Sequence, residues 1–413
     1  MKTPKQIAIA GAGPAGLAAA LYLGQAGHRI TIFDRFQSPK PVGSGLILQP
    51  TGLTVLADLG LLDRILALGA RIDRLYGADA TSGRTVLDVR YDALRGGRFG
   101  LAVHRAALFN VLFDAVSEAG IAVETGVDVA DVEHDGERAF LITGEGRRIG
   151  GFDLVIDASG ARSRLRRRAD RSAEPTPLAY GAFWASLGWR DGFQRNALTQ
   201  RYDRASVMIG VLPIGRAETG GEEMAAFFWS LKPDDAERVK AAGIDAWRER
   251  VGSFWPECAA FTSQINGFEQ LSLARYGHHT LARPAGRRLA VIGDASHSTS
   301  PQLGQGANMA LLDAAALAHA LKTSGSLEDA LEAYCRARRW HLRLFQSLSW
   351  MFTPFYQSDS VFLPFLRDRL VASIARIPPA PQFLAAMVAG TVIDPFAKAG
   401  LGEHSWARKR QSS

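Results

Sequence analysis

The residues best suited to chemistry are Gly11, Gly13, Ala15 and Gly16 near the start of the chain and the run Gly293–Asn308 far along it. Glycines let backbone N–H groups approach anionic oxygens closely, and a helix opening behind them adds a partial positive charge. Gly11-Ala12-Gly13-Pro14-Ala15-Gly16 has the spacing of a pyrophosphate-binding turn: one glycine for the turn, one for close approach, one for packing of helix on sheet. Asp34, about twenty residues on, stands where a carboxylate would hold a ribose. A turn that merely packs would leave that acid unexplained. In the second segment Asp294 follows an apolar run, and Pro301, Gly304, Gly306, Ala307 and Asn308 lead into a helix whose start favours negative charge. Two phosphate-friendly segments so far apart predict one extended cofactor clamped from both sides, and FAD has that shape.

Simple elements must position these groups. Gln6–Ala10 and Ile30–Phe33 read as buried strands around a helix from Pro14 to Ala26, stopped by Gly27. Arg287–Ile292 reads as a strand that delivers Asp294 at its carboxyl end, where ligands of open α/β sheets collect. From Gly304-Gln305-Gly306 a helix is expected, with Ala307, Ala310, Leu311, Ala314, Leu317, Ala318 and Leu321 on a period near 3.6. Between these ends lie a Gly43-rich loop and helix to about Leu68, strands within 71–103, and a helix from His104 to Ala119. Strand pairs with turns at Gly136 and Gly144-Glu145-Gly146 come next, then a buried strand at Leu154–Ile156 and a β-rich block from Gly181 to Trp229. Phe183, Trp184, Phe227, Phe228 and Trp229 in that block read first as core.

The motifs in order resemble the class A flavin-dependent aromatic hydroxylases, the para-hydroxybenzoate hydroxylase-like FAD monooxygenases that include salicylate- and ubiquinone-biosynthesis-type hydroxylases. The matching pieces are Gly11–Gly16, Asp34-Arg35, Gly43–Pro50, His104-Arg105, Asp157–Ser163 and Gly293–Asn308. The resemblance implies a Rossmann-like α/β FAD-binding domain (1–70, 100–175 and 280–325) interleaved with a β-sheet substrate domain (71–99 and 176–279), and a helical C-terminal region (326–413). It implies that Asp34, with Arg35 beside it, binds the adenosine ribose, Arg105 the FAD near its pyrophosphate, and Asp294 the ribityl chain. Val129 would offer a backbone group to adenine, and Pro301 with the backbone of Gly304–Asn308 would face the isoalloxazine ring. The implied reaction is hydroxylation of an aromatic or heteroaromatic small molecule by O2 through a flavin C4a-hydroperoxide, the flavin being reduced by NADPH or NADH. One position departs: Ser159 stands where the family usually has Asp before Gly160, and a hydroxyl carries no fixed charge. Asp157, two residues earlier, or a serine-held water is expected to take over its structural task.

Catalytic side chains are less legible, because such a site supplies a dry pocket and dipoles rather than a covalent nucleophile. His297, in the ring-facing loop, and Tyr202 are the weak candidates; Tyr180, Arg201 and Arg204 are others that the sheet would aim at a substrate. Arg162, Arg164, Arg166, Arg167, Arg168 and Arg171 read either as a solvated helix face or as a group attracting NADPH phosphates. Two open alternatives are a flavin reductase or oxidase without oxygen insertion, and a non-catalytic FAD-binding ligand sensor.

Composition excludes other classes. The formal charge of +7 over 413 residues is diffuse and has no aromatic-interleaved basic module, so nucleic acid is not an expected partner. Cys258 and Cys335 are too few for a disulfide framework, and adjacent His278 and His279 would point to opposite faces, so no metal site is expected and a reducing cytoplasm is. Neither a leader's apolar core nor a spanning apolar run is found. Past about residue 325 the chain reads as helical, with Leu344, Phe345, Leu348, Met351, Phe352 and Phe355 on one stripe that Pro354 should end or kink, and Arg408-Lys409-Arg410 as a frayed end.

Overall fold

Gln6–Ala10, Arg29–Phe33 and Leu154–Asp157 are short runs rich in Ile, Val and Ala, and they form the middle of a six-stranded sheet in a computed structural model of the protein. The structure describes residues 3–38, 44–170, 174–371, 375 and 377–406. Strand Gln6–Ala10 pairs in parallel with both neighbours, and Ala122–Glu124 and Leu289–Val291 extend the parallel order on either side. Helices Pro14–Gln25, Arg105–Glu118 and Gly306–Thr323 bury their alanine and leucine faces against one side, with Ile7, Ile9, Leu154 and Ile156 inside. The three-stranded meander 129–152 covers the other side through Val132 and Leu141. Removing one such side chain, as in Ile9→Ala, is expected to cost about 2–5 kcal/mol.

A second sheet has seven strands. Residues 74–79 and 85–90 join it beside 197–203, although they lie far earlier in the chain, and 272–274 closes its opposite edge. One face packs Phe183, Phe227 and Trp229 under the helices of 236–262. The other face, carrying Trp184, Phe228, Tyr202 and Leu212, turns toward the strand Gly45–Leu48 and the C-terminal segment around Ala385–Ala389.

Several local expectations are corrected. Gly45–Leu48 is a strand paired with Gly100–His104, where loop and helix were expected. Leu289–Val291 is shorter than the strand foreseen, because Arg288 takes a left-handed turn (φ 48°) after the Ala285-Gly286 strand. Val129 opens the strand Val129–Asp135, and Gly126 before it turns at φ 71°. The long helix Leu327–Tyr356 runs through Pro354 and ends two residues later. The proline forfeits only its own bond, to a carbonyl on the turn of exposed Trp350, where water can satisfy it. Met351 is exposed, off the buried stripe of Phe345 and Leu348. Gly43, Arg171 and Arg408-Lys409-Arg410 lie outside the described residues.

Candidate flavin cradle and active site

Each glycine of the first turn has a separate steric reason. Gly11 sits at φ 109°, and a Cβ there would fall 2.4 Å from the Ala158 carbonyl oxygen. A Cβ on Gly16 would fall 2.0 Å from the Gly11 oxygen, so helix and turn touch only because it is absent. A Cβ on Gly13 would meet nothing within 4 Å. Gly13 therefore borders open space at the start of a helix with Pro14 in its first turn, no side-chain cap and no acid there; Ala15, next in that turn, is buried. Asp34, at the end of Arg29–Phe33, accepts the Ala12 N–H at 2.7 Å and the Phe36 N–H at 3.2 Å, fixing the carboxylate against the turn. Val127 donates its N–H to the Asp34 carbonyl and Gly126 to that of Phe36, which brings the stretch leading to Val129 beside the acid. The Val129 carbonyl accepts from Arg164 at 3.3 Å. Arg35 is exposed.

The second segment folds back over the same sheet edge. Asp294 is open to the cleft yet surrounded by protein, and this desolvation raises its carboxyl above the usual range against the opposing charges of His297 and Arg105. Arg105, exposed at the start of its helix, donates its backbone N–H to the Ser44 carbonyl at 2.9 Å, while its guanidinium has no hydrogen-bond or ion-pair partner among the described residues. Pro301 opens a single 3-10 turn and Gly304 takes the left-handed conformation (φ 60°). The helix then starts at Gly306, the last residue of the triplet expected to open it, again without side-chain cap or first-turn acid. Pro301, Gly304, Gly306 and Ala307 keep partial exposure, and the nearest atom to a Cβ on Gly306 would be Asp294 Oδ1 at 3.7 Å. Ser296 Oγ and Gln302 Nε2 are buried without a partner among the described residues. Two uncapped helix starts, an acid bound to the glycine turn and an open-sided Gly13 fit a dinucleotide whose pyrophosphate and ring need backbone donors.

Three further clusters hold the cradle, and the sequence did not disclose them. Asn308, fully buried, accepts the Gln49 N–H at 2.8 Å and donates to the Ile47 and Gly304 carbonyls at 3.1 and 3.0 Å, clasping the two flanks of the cleft. A Cβ on Gly52 would collide with it, at 2.2 Å from Oδ1. Asp313, on the same helix, accepts the Gly293 N–H at 2.9 Å and contacts His297 Nε2 and Arg338 Nε at 2.6 Å each. Burial alone would raise its carboxyl, but the positive partners His297 and Arg338 bring it to about 2. Arg166, also buried, bonds His279 Nε2 at 2.8 Å and the carbonyls of Gly160 and Ala161, while His279 Nδ1 lies 2.7 Å from Ser298 Oγ. Burial and the Arg166 charge push the His279 ring down to about 4. Ser159 donates to Asp157 Oδ1 at 2.6 Å and Ser163 to Oδ2, so the departing serine is tied to the acid two residues before it.

The weak catalytic candidates have their polar atoms enclosed or already engaged. His297 is buried, with its Nε2 spent on Asp313. The Tyr202 ring is buried against Tyr356, and burial raises its hydroxyl far above the range of a base. Tyr180 donates to Asp359 at 2.8 Å. Arg201 lies over Trp255 on the outer face of the sheet, and Arg204 occupies a left-handed turn. Within the arginine run, the solvated-face reading fails for Arg166. Arg164, Arg167 and Arg168 pair with Asp128, Glu174 and Asp131 beside a cleft of about 860 Å3 that Arg162 also lines. Toward the substrate sheet, Trp184 Nε1 donates to the Tyr276 hydroxyl at 2.8 Å and His104 Nε2 lies 3.1 Å from Ser186 Oγ. No group able to hold a metal ion occurs among the described residues.

Residues 5–344 match the FAD binding domain family, and the chain belongs to it as an FAD-dependent monooxygenase of the aromatic-hydroxylase type. It is 30% identical over 339 residues to the 3-amino-4-hydroxybenzoate 2-monooxygenase of Streptomyces cremeus, covering 80% of this chain and 82% of that one. It is 24% identical over 387 residues to the aurachin C monooxygenase/isomerase of Stigmatella aurantiaca, covering 90% and 94%. Among solved structures, Klebsiella pneumoniae HpxO complexed with FAD and uric acid superimposes with a TM-score of 0.79 at 20% identity, covering 94% of this chain and 98% of that one.

Proposed function

We propose that this protein hydroxylates an aromatic or heteroaromatic small molecule, with O2 as oxygen source and NADPH or NADH as reductant. The observation that carries the reading is the double clamp: Asp34 bound to the glycine turn on one side, and Asp294 with the uncapped start of Gly306–Thr323 on the other. Bound FAD would supply electron acceptance from the nicotinamide and activation of oxygen. The chain's own residues bind and orient it. Asp34 with Arg35 takes the ribose, the amides from Gly11 to Gly16 with Arg105 the pyrophosphate, Val129 the adenine, and Asp294 the ribityl hydroxyls. Pro301 and the backbone from Gly304 to Asn308 border the ring, and the helix start there stabilises negative charge on it.

The substrate is taken on the inner face of the seven-stranded sheet, where Trp184, Leu212 and Phe228 exclude water and stabilise an apolar ring. The named relative acting on 3-amino-4-hydroxybenzoate supports a ring bearing a hydroxyl or amino donor. The cleft lined by Arg162, Arg164 and Arg167 supports docking of the anionic reductant. The domain boundaries expected from sequence belong to this reading, as does a reducing cytoplasm, which the free, buried Cys258 and Cys335 suit. The test is NADPH and NADH oxidation by the FAD-loaded protein across hydroxybenzoates, aminohydroxybenzoates and quinolones. At least one is expected to accelerate flavin reduction; failure of flavin reduction with every donor and substrate would remove the reading.

A further inference from the structure

Exposed large apolar side chains are not scattered over this molecule. Among the described residues they all lie between 340 and 393, and they include Trp350 (74% exposed), Phe362 (68%) and Trp340 (61%). Arg336, Arg339, Trp340, Arg343, Trp350 and Met351 each lie three, four, seven or eleven positions from another of the group along the helix Leu327–Tyr356, so they share its outer side. The opposite side, with Arg338, Phe345 and Ser349, is buried, and Ser349 accepts a hydrogen bond from Thr299 of the ring-facing loop. The short helix Phe362–Leu366 follows, packed on the long one, and adds Phe362 and Phe365.

The charge of this side selects its partner. No Asp or Glu occurs from residue 333 to residue 358. Arg339 and Arg343 have no ion-pair partner among the described residues; Arg343 lies over the Trp340 ring at 5.6 Å, and Arg369 over Phe365 at 5.1 Å. Glu332, at the edge of this side, is already paired with Arg336, so a two-fold contact between copies would set Arg339 and Arg343 against their own copies with no free carboxylate of the helix between them. Phosphate headgroups supply the missing charge, tryptophan and phenylalanine suit the boundary between headgroup and acyl chain, and the net charge of +7 has the same sign as the attraction requires. No helix among the described residues is long and apolar enough to cross a membrane, so the contact is with the surface.

We propose that the outer face of Leu327–Tyr356, extended by Phe362 and Phe365, seats the enzyme on an anionic lipid bilayer. The helix that covers the ring-facing loop then has lipid on its outer side.

The experiment is co-sedimentation of the full-length, FAD-loaded protein with phosphatidylcholine vesicles, with and without phosphatidylglycerol, at low and high salt, beside light-scattering mass in solution. Binding is expected only with phosphatidylglycerol and is expected to weaken at high salt. Trp340→Ser with Trp350→Ser is expected to lower partitioning about a hundredfold, roughly tenfold per ring. Arg339→Gln with Arg343→Gln is expected to lower it about thirtyfold on the anionic vesicles. Both double variants are expected to keep wild-type FAD content and NAD(P)H oxidation in solution, which distinguishes lost docking from lost fold. Three results overturn the proposal: no binding to anionic vesicles at low salt, binding indifferent to both double variants, or a dimer in solution that the tryptophan substitutions dissociate.

Discussion

Asp313→Asn isolates the charge at the centre of the cradle, because the amide keeps the shape and can still accept the Gly293 N–H. The carboxylate is fully buried and lies 2.6 Å from both His297 and Arg338. Its pKa falls from the ordinary 3.8 to about 2 in the folded protein. A depressed carboxyl pKa gives stability that is complete above the unfolded value and lost as pH falls through the folded one; the shift corresponds to roughly 2 kcal/mol at neutral pH. Breaking a buried pair from one side, leaving Arg338 uncompensated, costs about 3–5 kcal/mol. The two routes agree in order of magnitude, so a loss of about 3 kcal/mol is expected. Urea unfolding of wild type and variant at pH 7, with FAD content measured alongside, gives the number. Arg338→Met added to Asp313→Asn is expected to restore part of it by removing the stranded cation. A loss below about 1 kcal/mol at pH 7, or a double variant worse than both singles together, would refute the reasoning.

The two glycines of the first turn should separate binding from folding. Gly13→Ala is expected to leave the apoprotein's melting temperature unchanged while lowering FAD affinity at least about tenfold, whereas Gly16→Ala should destabilise the apoprotein, as melting curves and flavin fluorescence titration will show. Asp34→Ala removes a charged acceptor of the Ala12 amide and is expected to weaken FAD by about 1.5–3 kcal/mol in the same titration. His279 and His341 are held neutral, at about 4 and about 3, both first by burial and then by a neighbouring arginine. Because the unfolded rings protonate near 6.5, wild-type stability should fall as pH drops from above 6.5 toward 4, and His279→Gln should flatten that fall by up to about 3 kcal/mol in urea titrations.

The local part of the account was readable from the sequence. The Gly11–Gly16 turn, Asp34 and the Gly293–Asn308 loop announce themselves because turn chemistry, a strand end and a helix start are each encoded within a few residues. What escaped depends on partners far apart in the chain: Asn308 reaches Gln49 across 259 positions, and Arg166 reaches His279 across 113. Nothing adjacent to Arg166 marks it as buried among its exposed neighbours. His297 lies in the loop where the sequence placed it, but the partner that takes up its Nε2, Asp313, stands on the next helix with no local signature. The exposed tryptophans of the long helix fell outside the apolar stripe that periodicity selects, so only the solved packing shows which side of that helix lacks a partner.

The most direct test of the central claim is turnover under 18O2 with the FAD-loaded protein, a reducing nicotinamide and an aromatic substrate that accelerates its oxidation. The account requires one 18O atom in the organic product for each nicotinamide oxidised at full coupling. A product formed without label, with the oxygen released only as hydrogen peroxide, would mean that the cradle holds a flavin for electron transfer alone.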